Sequence, residues 1–86
     1  MNAPPRPLDP VPDPANARLG AVIRQVMEQR EVSVNALHLA TGLSRQTITR
    51  SLEGTRTLDF RQFDKIATAL GGIHQDIIQA YAERAA

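Results

Sequence analysis

Residues 33–54 read SVNALHLATGLSRQTITRSLEG, and the fold turns on this stretch. It holds two short helical segments, at about 34–41 and 45–53. Ser33 stands before the first and Ser44 before the second. A serine in that place caps a helix by accepting from the free backbone N–H groups of the first turn. Gly42 follows the first segment and Gly54 the second. Glycine tolerates the left-handed conformation that closes a helix into a tight turn. Two helices joined by about three residues that include glycine have helix-turn-helix spacing.

On the N-terminal side, all six prolines fall within the first fourteen residues. Proline has no backbone N–H, and such a segment leans toward polyproline II. Residues 1–12 therefore read as a flexible arm, with a folded domain over 13–86. Asp13 is a good N-cap and Pro14 suits the first helical position. A first helix is expected to about Arg30. Leu19, Val22, Ile23, Val26 and Met27 repeat there at three and four residues, as one apolar stripe requires. The break at Glu31, Val32 and Ser33 ends it.

On the C-terminal side, residues 55–58 form a loop. Asp59 with Gln62 three residues later fits a capping box. A fourth helix is expected over 60–70, with Phe60, Phe63, Ile66, Ala67 and Leu70 on one face. Gly71 and Gly72 end it. A last helix at about 74–84 carries Ile77, Ile78 and Tyr81. These three either form a dimer seam or close the core over helices 1 and 4. No strand-like alternation and no domain-sized repeat occurs. The expected fold is an all-α bundle of five helices.

The 86 residues leave room for one domain with a modest core. Absence of cysteine rules out a disulfide framework and a thiolate metal site. No apolar run approaches the ~20 residues of a membrane span. The N-terminus lacks a basic region followed by an apolar stretch, so no secretion signal is expected. Net charge is only +1, yet Arg45, Arg50 and Arg56 face a single acid, Glu53, between Ser44 and Leu58. Nine of the ten basic residues are arginine. A guanidinium binds phosphate or guanine in a bidentate way that an ammonium cannot match. A GC-rich genome would favour arginine as well.

The second helix of the pair has the division of faces that a groove-reading helix needs. Ile48 and Leu52 are four apart and point inward. Arg45, Gln46, Thr49 and Arg50 occupy the remaining surface. An α-helix fits the major groove of B-form DNA, where arginine suits guanine, glutamine suits adenine and threonine suits a thymine methyl or a phosphate. These four are the candidate base readers, Arg45 and Gln46 first. Candidate phosphate contacts are Ser44, Asn35, Thr47, Thr55 and Arg56. Arg56 and Arg61 are equally well read as plain surface charge. The four readers would be a solvated face on an arbitrary helix, but the helix-turn-helix setting favours DNA.

Other chemistry finds little support. His38 and His74 have no further ligands at metal-binding spacing. No catalytic sequence context is visible, so neither an enzyme nor a cofactor is expected. Arg6 could enter a minor groove, although one arginine among prolines and two aspartates reads more simply as tail.

Residues 33–54 resemble the phage-repressor type of helix-turn-helix, the Cro/CI or XRE-type family. Leu37, Gly42, Ser44, Thr47, Ile48 and Gly54 sit where that family places them. The stretch FRQFDKIATALGG resembles its fourth helix, and the likeness covers about residues 17–78. The resemblance implies a five-helix, lambda-repressor-like bundle that binds double-stranded DNA, usually as a homodimer on a palindromic operator. It implies a transcriptional repressor, an activator or an antitoxin in the cytoplasm or nucleoid of a prokaryotic or phage-infected cell. An antitoxin would hold a protein partner through the C-terminal helix or the proline arm. Three positions depart from the pattern. His38 replaces a small residue, so helix 2 shifts or His38 points outward. Val34 replaces a glutamine that touches phosphate. Ser51 replaces an aliphatic residue, which thins the core under helix 3.

Overall fold

The computed structural model describes residues 13–85. The proline-rich arm, including Arg6, lies outside the described residues. Five helices follow in order: α1 Pro14–Arg30, α2 Val34–Thr41, α3 Arg45–Glu53, α4 Phe60–Ala69 and α5 His74–Ala85. No strand occurs among the described residues. Among the described residues no helix is long and apolar enough to cross a membrane.

The helix starts are set locally. The Asp13 carboxylate accepts from the backbone N–H of Ala15 and Asn16 at 2.9 and 3.1 Å. Ser33 accepts from Ala36 and Ser44 from Thr47. Asp59 and Gln62 satisfy each other's backbone in a complete capping box. Each cap satisfies donors that the first turn leaves free, worth about 1 kcal/mol apiece. Gly42 and Gly54 close α2 and α3 at φ 76° and 83°. The first helix closes without glycine: Glu31 adopts φ 56°.

The core draws on every helix. Val22, Ile23 and Met27 come from α1, Leu37 from α2, and Ile48 and Leu52 from α3. Ile66 and Ala67 of α4, its cap Leu70, and Ile77 of α5 complete it. α1 packs on both α3 and α5, while α4 spans α2 and α5. Leu19, Val26, Phe63 and Tyr81 pack around this centre, partly buried.

One expectation is corrected. Phe60 does not join the core of α4 and is 82% exposed. It is the first residue of the helix, and no neighbouring element covers that end of the stripe. Ser51 is buried, 4% exposed, and donates a 2.7 Å hydrogen bond to the Thr47 carbonyl. The α1 backbone comes close to this part of α3, where Gly20 lies directly against the carbonyls of Ser51 and Leu52. Gly54 repeats this contact one turn away, where a Cβ would lie 2.6 Å from the Ala17 Cα.

The last helix divides its three apolar residues. Ile77 is buried, Tyr81 is partly buried, and Ile78 is 56% exposed. The Arg18 guanidinium carbon lies 4.0 Å from the centre of the Tyr81 ring. This cation–π contact fastens α1 to α5.

Candidate nucleic-acid interface

The pair α2 and α3 is held at a fixed angle by polar contacts in its turn. Thr41 donates to the Leu37 carbonyl at 2.6 Å and accepts from the Leu43 N–H at 3.2 Å. His38 Nδ1 lies 2.7 Å from the Leu43 carbonyl oxygen. A carbonyl only accepts, so that nitrogen carries the proton. His38 therefore does not point freely outward. Its ring is half-buried and spans the turn, where a smaller residue would leave the Leu43 carbonyl without this donor.

Buried Ile48 and Leu52 anchor α3 to the core and set its rotation. Arg45, Gln46, Thr49 and Arg50 are consequently all exposed. Their stretch of helix contains no acidic side chain until Glu53. At the N-terminus of α3, Ser44 Oγ accepts from the Thr47 N–H at 3.0 Å and donates to Thr47 Oγ1 at 2.9 Å. The hydroxyl pair sits beside the unpaired N–H groups of the first turn, which favour an anion.

The remaining candidates are arranged around this helix. Asn35, in the first turn of α2, accepts from Arg45 Nε at 3.0 Å and from Nη2 at 2.7 Å. Thr55 folds back onto the end of α3, its N–H and its hydroxyl both donating to the Arg50 carbonyl. Arg56 is exposed in the loop just beyond. Arg61 is exposed on α4. Val34 packs against the core as a partly buried residue and brings no polar side chain to the surface.

Arg24 of α1 lines a shallow depression with Ser33, Val34 and Thr49, beside the acids Glu28 and Glu31, and its Nη2 reaches toward the Leu52 carbonyl at 3.4 Å. The two histidines are engaged elsewhere: His74 bonds Asp64 at 2.7 Å and packs edge-on to Phe63. Among the described residues no three His, Cys, Asp or Glu side chains are grouped to hold a metal.

A polar helix on a two-helix stem, with basic residues and free N–H groups on one side, defines a helix-turn-helix DNA-binding domain. The chain belongs to the Cro/C1-type helix-turn-helix DNA-binding family, whose profile matches residues 22–83. That span takes in the second half of α1 and all of α2 to α4. No curated protein is similar enough to count as a match.

Proposed function

We propose that the chain is a sequence-specific transcriptional repressor. In this reading α3 lies in the major groove, with Arg45, Gln46, Thr49 and Arg50 at base edges. Ser44, Asn35, Thr47, Thr55 and Arg56 contact phosphates and set the register. Two copies bind a palindromic operator, with α3 helices about 34 Å apart on one face of the duplex. Occupancy of the operator excludes polymerase. The site of action is the cytoplasm or nucleoid of a prokaryotic or phage-infected cell. The supporting observation is the division of α3, with Ile48 and Leu52 buried and all four polar candidates exposed.

The test is selection from a random duplex library, followed by titration of the enriched site. A defined palindrome whose binding is lost in the Arg45→Ala and Gln46→Ala variants supports the reading. Unchanged binding by both variants removes α3 as the reader.

A second reading, an antitoxin or partner-binding module on the same scaffold, is favoured by one observation. Phe60 and Ile78 are exposed yet line one apolar groove with Leu19, Leu58, Phe63 and Tyr81. Failure of any duplex to be enriched would favour this second reading.

A further inference from the structure

Arg45 is held in place before any DNA is present. Its Nε and Nη2 both donate to the single Oδ1 of Asn35, at 3.0 and 2.7 Å. Both residues are exposed, so burial does not impose the arrangement. A free surface arginine spreads over many rotamers and loses that freedom when it is fixed. A two-point contact removes much of that freedom in advance of binding.

The contact also selects which edge of the guanidinium is offered. Arginine has five N–H donors in a rigid plane. Asn35 takes two along the Nε–Nη2 side. The three that remain belong to Nη1 and Nη2, and they include the parallel end-on pair. That pair matches the O6 and N7 acceptors of guanine in the major groove. Asn35 is neutral, so the full positive charge of Arg45 is retained. The Asn35 amide group keeps two donors of its own, available to a phosphate oxygen beside the first turn of α2.

We propose that Asn35 is a positioning residue that commits Arg45 to guanine through its end-on edge. The inference rests on the reading that α3 enters the major groove. One guanine position in each half-site then depends on residue 35, a side chain that touches no base. Asn35 links a backbone contact on α2 to base reading on α3.

The test repeats the duplex selection with the wild type and the Asn35→Ala, Asn35→Asp, Arg45→Ala and Arg45→Lys variants. Melting followed by circular dichroism checks that each is folded. The wild type should enrich a site with guanine at one position per half-site. Arg45→Ala and Arg45→Lys should lose that preference, since an ammonium offers no planar fork. Asn35→Ala should weaken the guanine preference about tenfold at that position and leave the others intact. Asn35→Asp keeps the acceptor, so the preference should return while affinity for every sequence falls through repulsion of the phosphates. A uniform loss in Asn35→Ala, with guanine preference unchanged, reduces Asn35 to a phosphate contact and overturns the proposal alone. Retained guanine preference in Arg45→Ala overturns it too. A wild type that enriches no site overturns the proposal together with the reading beneath it.

Discussion

Gly20 of α1 and Leu52 of α3 meet backbone to backbone. A Cβ at position 20 would run into the Leu52 carbonyl oxygen and would lie 2.7 Å from that of Ser51. Neither neighbour is a flexible side-chain end that could move aside. Gly20→Ala should therefore push the two helices apart, even though alanine is the better helix former. Overpacking of this kind costs about 1–3 kcal/mol. For a domain of this size that lowers the melting temperature by roughly 5–20 °C. Thermal denaturation checks it; an unchanged or raised midpoint would show that the crossing is not tight.

His38 should matter to the turn and not to the core. Its bond to the Leu43 carbonyl joins the two helices of the motif. His38→Ala should cost about 1 kcal/mol, the ordinary net value of one hydrogen bond. DNA affinity should fall further than stability does if the angle between α2 and α3 relaxes. Denaturant melts beside duplex titrations separate the two effects.

Ile48 carries α3 on the core and is completely buried. Ile48→Ala should remove about 2–5 kcal/mol, most of the margin a small domain has. The variant should be largely unfolded or molten at 37 °C, with weak helical signal. Gln46→Ala, on the exposed face of the same helix, should melt within a degree or two of the wild type. Similar losses in both would contradict the division of faces.

Arg56 lies just beyond α3 and tests the proposed phosphate contact. Arg56→Ala should weaken binding to all duplexes alike and lower the slope of log affinity against log salt by about one unit. Gln46→Ala should instead relax preference at one base pair and leave the slope unchanged. A sequence-selective effect of Arg56→Ala would place it at a base edge.

The elements that were legible in the sequence are those governed by residues close together. Asp13, Ser33, Ser44 and Asp59 mark the helix starts because a cap acts within three residues of itself. Gly42 and Gly54 mark the ends for the same reason. Periodicity also identified the apolar stripes. It says which side of a helix is apolar but not whether another element lies against it, which is why Phe60 was misplaced. The approach of Gly20 to the Ser51 and Leu52 carbonyls depends on how closely two helices cross. The bonds from Arg45 to Asn35 span ten residues and two helices. No single-helix pattern contains either fact.

The packing of α1 bears on how the chain is made. Its partners come late: α3 begins at Arg45 and α5 at His74. Even the N–H of Asp13 is satisfied only by the carbonyl of Gly54, and Gln25 receives its bond from Arg84. During synthesis α1 precedes both partners, and its stripe is fully buried only once α3 and α5 have both been made. The native fold should thus form in one cooperative step, and a chain stopped at Gly72 should stay unfolded despite carrying the whole helix-turn-helix.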